Sequence, residues 1–255
     1  MELLSFRQTE GIAYVTLENL KEFNTLTMQL IDELDTLLKE IATKRETKVV
    51  VIEGSDRVFS AGHSLKEIQS KTETEVLALF QACLNVMRTI REMPQIVISK
   101  VRSAAVAAGC QLVAASDLAV ASVEAKFATP GINSGLFCST PAVFLSRNIG
   151  RKKAAELLFT GNFMSAEEAL QHGLVNKVVP VELLDEETEK LAKDITKQSL
   201  NIIELGKRQF YQQINMEDFQ ALQYATQVIS LNTKHPDAQE GICAFLEKRK
   251  PVWNQ

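Results

Sequence analysis

Nowhere in the 255 residues does an apolar run approach the about 18 residues of a membrane-spanning helix, so none is expected. Cysteine is scarce and dispersed. Cys83, Cys110, Cys138 and Cys243 form no short pair, whereas a disulfide scaffold is dense in cysteine and a zinc site needs close Cys or His neighbours. His63, His172 and His235 are equally far apart, so no metal is expected. A basic excess is also missing. With 28 Lys and Arg against 32 Asp and Glu the formal net charge is −4, which offers no field for nucleic acid or an anionic membrane. The opening segment MELLSFRQTEG resembles neither a secretory signal nor an Arg- and Ser-rich transit peptide, and no repeat or low-complexity tract follows. These absences predict an intracellular globular protein with reduced thiols. Its expected place is the cytoplasm, or the mitochondrial matrix if a transit segment has been removed.

What is present is ordinary in bulk and informative in pattern. Hydrophobic residues make up 45% and charged residues 24%, as in soluble folded domains, and the length suits one to two domains of about 150 residues. Residues 12–18 alternate as a strand does. Leu26, Leu30, Leu34, Leu37, Leu38 and Ile41 then recur at helical spacing. The β-branched run 48–53 (KVVVIE) predicts a strand buried on both faces. A helix is expected over 73–92 with Leu77, Phe80, Leu84, Met87 and Ile90 on one side, stopped by Pro94. Strands at 95–100, 117–122 and 174–179 and a small-residue helix at 108–115 complete an α/β pattern with a mostly parallel sheet. From Asp185 onward the pattern is helical, broken at Gly206, Pro236 and Gly241. The division is therefore an α/β core over 1–184 and a helical region over 185–255. The apolar stripes of that region (Ile202, Leu205 and Phe210; Phe219, Leu222, Ala225 and Ile229) exceed what the core needs and predict an interface between copies.

Two stretches break the periodicity with small residues: 59–65 (FSAGHSL) and 104–112 (AAVAAGCQL). Each is placed as a loop following a strand, where α/β folds bind ligands. Glycine there admits a close approach of backbone N–H groups, and two such groups aimed at one carbonyl make an oxyanion hole. Close helix–strand packing needs small residues equally, and spacing alone leaves both readings open.

The ordered set FSAGHSLKEI, AAVAAGCQLVAASDLAVAS, FATPGINSGL, RKKAAELLFTGNFMSAEEALQHGLVNKVVP and EGICAFLEKRKPVW resembles the crotonase (enoyl-CoA hydratase/isomerase) superfamily. Within it, the chain looks most like the enoyl-CoA hydratase domain-containing branch. The resemblance implies a ClpP/crotonase-like fold of repeated ββα units, with a C-terminal helical region that builds a homotrimer or a dimer of trimers. It implies an acyl-CoA thioester as partner, with coenzyme A arriving as part of the substrate and no covalently bound cofactor.

It further implies that the N–H groups of His63 and Ala108 polarise the thioester carbonyl. CoA contacts fall on Lys21, Glu22, Phe23, Ala61, His63, Ser64, Leu65, Ala107, Ala108, Pro130 and Phe137. Phe245 and Lys248 match residues that cover the adenine, often from a neighbouring subunit. The family's two catalytic glutamates fall on Gln111 and Gly131, neither of which holds a carboxylate. A glutamine does not exchange protons near neutral pH, so ordinary hydration is expected to be weak or absent. The alternatives are a CoA-ester-binding protein without turnover, or chemistry in which bicarbonate bound at the free N–H of Gly131 replaces a carboxylate, as in naphthoate synthases. No substitute base stands out. Asp117 is expected to pair structurally, Glu67 to face solvent, Cys138 to be a structural thiol, and Ser139 or Thr140 to cap a helix ahead of Pro141.

Overall fold

The computed structural model describes residues 2–254. The chain opens with strands β1 (Leu4–Thr9) and β2 (Ile12–Leu17), helix α1 (Met28–Ala42), strands β3 (Val49–Glu53) and β4 (Val58–Ser60), and helices α2 (Leu65–Ser70) and α3 (Glu73–Glu92). Two strand pairs with their helices follow: β5 (Ile96–Val101), β6 (Ala104–Val106) and α4 (Ala108–Ala115), then β7 (Leu118–Ser122), β8 (Lys126–Ala128) and α5 (Ser139–Asn148). Next come α6 (Arg151–Thr160), β9 (Met164–Ser165), α7 (Ala166–His172) and β10 (Lys177–Val179). Four helices end the chain: α8 (Leu184–Thr196), α9 (Leu200–Gln213), α10 (Asp218–Asn232) and α11 (Pro236–Leu246). No described helix is long and apolar enough to cross a membrane.

The strands form two sheets. One has the order β1-β2-β3-β5-β7-β10, parallel except for β1, and the other the order β4-β6-β8-β9, parallel except for β9. Each repeat sends a long strand to the first sheet and a three-residue strand to the second: β3 with β4, β5 with β6, β7 with β8. This is the repeated ββα construction. Its short strands escape periodicity, because three residues carry no countable alternation. The consequence for the site is direct. The loops 59–65 and 104–112 leave β4 and β6 of the second sheet, not the long strands β3 and β5 as expected from sequence, and β4 and β6 are hydrogen-bonded neighbours.

The long sheet is buried on both faces. Ala13, Val15 and Leu17 of β2 belong to the core beneath α1, α3 and α4, while Ile12 and Tyr14 join Leu184 and Ala192 of α8 on the opposite face. α8 therefore covers the sheet as a layer of the core. On α3 the buried line is Leu79, Cys83, Val86, Met87 and Ile90. Leu77 and Leu84, expected on that side, are 67% and 42% exposed, because the inward face is turned from the expected one. Gly206 and Gly241 lie inside α9 and α11 and break neither; the real interruptions precede Ser199, Glu217 and His235, whose side chains cap the next helices.

One buried ion pair ties the helical region to the sheet. Lys207 on α9 directs its three ammonium donors at Asp117 (2.6 Å), the Ile90 carbonyl and the Gln95 carbonyl (2.7 Å each). Asp117 also accepts the Val97 N–H and the Tyr211 hydroxyl, so both its oxygens are engaged and the expected structural role is what the geometry shows. Burial pulls the Lys207 pKa down, and the adjacent carboxylate opposes that shift. Removing one partner strands the other charge in the interior. Lys207→Met is expected to lower unfolding stability by about 3–5 kcal/mol in urea titrations. A loss below about 1 kcal/mol, the scale of an exposed pair, would show that α9 is anchored by other contacts.

Candidate active site

The site is built from four segments that meet at the ends of β4 and β6. The first, residues 19–25, clamps the second, 59–63. Phe23 and Asn24 both take positive φ (55° and 52°), which turns the chain tightly. Asparagine tolerates that region at low cost. Asn24 is fully buried, and its amide donates to the Phe59 carbonyl (3.2 Å), while its own carbonyl accepts the Ser60 hydroxyl (2.7 Å). The Ala61 N–H reaches the Phe23 carbonyl (3.1 Å), and the Leu26 N–H reaches the Gly62 carbonyl (2.8 Å). These bonds hold the 21–23 turn beside Ala61, with Phe23 58% exposed. Ser64 is spent locally, capping α2 through the Glu67 N–H. Leu65, the next residue, is exposed.

The third segment crosses the second at a contact that only glycine permits. A β-carbon on Gly62 (φ +84°) would stand 2.8 Å from the Ala107 β-carbon and 3.0 Å from the Ala108 nitrogen. Ala107 itself has φ 49° and ψ −116°, a strained conformation for alanine, and it is pinned by its N–H to the Ala128 carbonyl (2.8 Å). That turn sets Ala108 as the first residue of α4. Neither the Ala108 nor the His63 N–H donates to any described backbone or side-chain group. Two unused donors thus stand on touching loops, one of them at a helix N-terminus where the dipole favours negative charge.

His63 is oriented by its own backbone neighbours. Nδ1 donates to the Leu26 carbonyl (3.1 Å), which leaves Nε2 buried with a lone pair and no partner among the described residues. The ring packs edge-on against Phe80 (centroids 4.9 Å apart), and burial pulls its pKa down, so it is neutral at pH 7.

The fourth segment fills the positions of the absent carboxylates. Gln111, 2% exposed, sits one turn after Ala108 on α4, and its Oε1 accepts the Thr140 hydroxyl (2.9 Å). Thr140 is therefore no cap. Cys138 occupies the N-cap position of α5 without a side-chain capping bond, and Ser139 donates to the Phe137 carbonyl (3.3 Å), so neither expected residue caps the helix. Pro130 opens the turn that carries Gly131, and the Leu136 N–H closes it on the Gly131 carbonyl (2.9 Å). A β-carbon on Gly131 would collide with the Leu136 carbonyl oxygen and stand 2.8 Å from the Cys138 sulfur. The β-carbon side of Gly131 is thus filled by Leu136 and Cys138. Burial raises the Cys138 and Cys110 pKa values, the latter to about 12, so neither is a thiolate nucleophile at pH 7. Phe137, half exposed, lies against Phe159 (5.4 Å).

Two assignments fall elsewhere. Phe245, 83% exposed, lines a groove of about 600 Å³ with Ile202, Ile242 and Trp253, and Lys248 follows α11 with φ 56°. None of the loop residues that hold Ala61 lines that groove. Glu67, expected to face solvent, instead accepts the Met28 N–H (3.3 Å) at the start of α1. Sequence reasoning missed the contacts of Phe80 and Thr140, which touch the site across 17 and 29 residues, as His63–Phe80 and Gln111–Thr140, with no local mark.

The family described as Enoyl-CoA hydratase/isomerase matches residues 7–255. The chain is 45% identical over 253 residues to mouse enoyl-CoA hydratase domain-containing protein 3, mitochondrial, covering 99% of this chain and 84% of that protein. The human protein of the same name is 46% identical over 251 residues, covering 98% and 83%. Among solved structures, an enoyl-CoA hydratase from Mycobacterium smegmatis superposes with a TM-score of 0.95 at 42% identity, covering 99% of each chain. Human enoyl coenzyme A hydratase domain-containing protein 3 does so at 0.95 and 46%, covering 98% of this chain and all of that one. With its ββα repeats, its paired loops and these relatives, the chain belongs to the enoyl-CoA hydratase/isomerase family and has the crotonase fold.

Proposed function

We propose that this protein binds acyl-CoA thioesters, holds the thioester oxygen between the N–H groups of His63 and Ala108, and lacks ordinary enoyl-CoA hydratase activity. The observation that carries the reading is the pair of unused backbone donors on loops that Gly62 lets touch. A carbonyl oxygen placed between them gains charge as an enolate forms, and one such donor is worth roughly 10²–10³ in rate. The loops of Lys21, Glu22, Phe23, Ala61, Ser64 and Leu65 supply the CoA side of the site, with Ala107, Pro130 and Phe137 at the acyl side. Phe245 and Lys248 reach the adenine from a neighbouring copy.

Hydration needs one group to deprotonate water and one to protonate the α-carbon. Gln111 holds its oxygen against Thr140, and the Gly131 position is packed shut. Neither group exchanges a proton. That favours a second reading within the same site, a CoA-ester-binding protein without turnover, over a hydratase or isomerase relative with altered chemistry. The mitochondrial location in the names of the mouse and human relatives supports the matrix as the compartment.

Calorimetry with butyryl-CoA is expected to show binding below millimolar concentration, whereas loss of crotonyl-CoA absorbance is expected to stay far under the roughly 1–10³ s⁻¹ of common enzymes. Turnover in that range would mean that another residue does the acid–base work, and absence of binding would end the whole reading. Restoring both glutamates is not expected to rescue hydration. Gly131→Glu drives a side chain into the Leu136 carbonyl, so Gln111→Glu with Gly131→Glu should lose about 1–3 kcal/mol of stability or more in urea titrations. A stable, active double variant would show that the turn yields.

The exposed apolar residues of α9 to α11 (Phe210, Phe219, Leu222, Ile229, Phe245 and Leu246) extend the stripes seen in the sequence. Their exposure supports assembly into trimers or dimers of trimers. Light scattering at micromolar concentration is expected to give three or six times the 28.4 kDa of one chain, and a 28.4 kDa particle alone would contradict it.

A further inference from the structure

We propose that the imidazole of His63 is a positioning group: by gripping Leu26 it fixes the direction of its own backbone N–H, and so sets how strongly the site polarises a thioester carbonyl. The inference rests on the CoA-ester reading above and deepens it.

Three observations lead there. First, the direction of this N–H is decided by a bond on the other side of its peptide. The Gly62 carbonyl accepts the Leu26 N–H at 2.8 Å, and in a trans peptide the His63 N–H points the opposite way. Gly62, at φ +84°, has a glycine's wide backbone freedom, so bonds rather than local sterics must hold that plane. Secondly, the ring returns to the same residue. His63 Nδ1 donates to the Leu26 carbonyl at 3.1 Å, so both backbone groups of Leu26 are held by residues 62 and 63. One hydrogen bond leaves a peptide plane free to swing about it, whereas a second bond to the same residue does not. Leu26 is itself anchored, with its side chain 2% exposed in the core and Thr27 beside it capping α1. Thirdly, the ring makes no other polar contact among the described residues. A carbonyl only accepts, so the imidazole proton is on Nδ1, and Nε2 is cut off from solvent without a partner while Phe80 packs against the ring. A buried polar atom left unmatched costs stability that an apolar side chain does not. The bond to Leu26 is the contact that accounts for a histidine here.

The ring acts on a ligand only through the N–H that it aims. A thioester oxygen gains from both donors when both point at it, and each such bond corresponds to roughly two- to tenfold in affinity. A ligand with the same chain but no carbonyl oxygen gains nothing from the aim of the N–H. The ring thereby separates ester from thioether without touching either.

The test compares dissociation constants of butyryl-CoA and S-butyl-CoA, the thioether in which a methylene replaces the carbonyl, by calorimetry on the full chain. Wild type is expected to bind the ester at least about fivefold more tightly. His63→Leu, which fills the space beside Phe80 without a donor, should lower that preference by roughly two- to tenfold and leave thioether binding unchanged. His63→Asn, whose amide nitrogen lies as many bonds from the backbone as Nδ1, should keep the preference. Equal losses for ester and thioether in His63→Leu, a preference that this variant keeps, or one that His63→Asn also loses overturns the inference and leaves the CoA-ester reading standing. Ester and thioether bound alike by wild type overturn the donor pair and this inference with it, and binding of neither ends the CoA-ester reading too. Should His63→Leu fail to fold, nitrogen NMR of the wild-type histidines still decides. A proton on Nδ1 of His63 supports the inference, and a proton on Nε2 with Nδ1 bare overturns it.

Discussion

The site depends on backbone meeting backbone where two glycines carry no side chain. Gly62 leaves room for Ala107 and Ala108, and a β-carbon on Gly109 would run into Ser60. The loop after β4 and the start of α4 are therefore locked together at van der Waals distance, and the sheet that aligns β4 with β6 supplies the register. Strain at Ala107 is tolerated because its N–H and both flanking segments are fixed elsewhere. Every group of chemical interest hangs from this crossing. It fixes the two free N–H donors, the His63 ring on its Leu26 anchor, and Gln111 one turn further along α4.

Around that crossing, the positions that the family resemblance assigns to the catalytic acids make neutral contacts. Gln111 binds Thr140, Gly131 accommodates Cys138 and the Leu136 carbonyl, and His63 is buried in its uncharged form. Neither Gln111 nor Gly131 offers a proton acceptor, and the His63 Nε2 lone pair is without a partner among the described residues. Positioning and electrostatic stabilisation survive such a change because they come from backbone geometry, while acid–base chemistry does not, because it needs specific side chains.

The helical region plays two parts that a sequence boundary at residue 184 does not separate. α8 completes the apolar layer over the long sheet, and Lys207 of α9 places its charge between carbonyls of the α3–β5 connection and Asp117. Beyond those anchors, α10 and α11 present phenylalanine and leucine outward.

Strands β2, β3, β5 and β7 and the helices at 28–42, 73–92 and 108–115 were readable from the sequence, because alternating, continuous or helically spaced apolar residues report directly on burial, whereas the mostly exposed β1 carries no such pattern. The two small-residue loops were readable as exceptions to that pattern, and the ordered motifs were enough to place the chain in its family. The short strands β4, β6 and β8 were not readable, since three residues have no period, and with them went the knowledge that the two loops are neighbours in one sheet. The role of Thr140 was equally hidden. Ahead of a proline, its local signal said helix cap, and only a contact across 29 residues made it the partner of Gln111. Local pattern determined which segments bury and which bend. The tertiary fold decided what Gly131 leaves no room for and which side chain Gln111 bonds, because both are set by atoms that the chain brings from elsewhere.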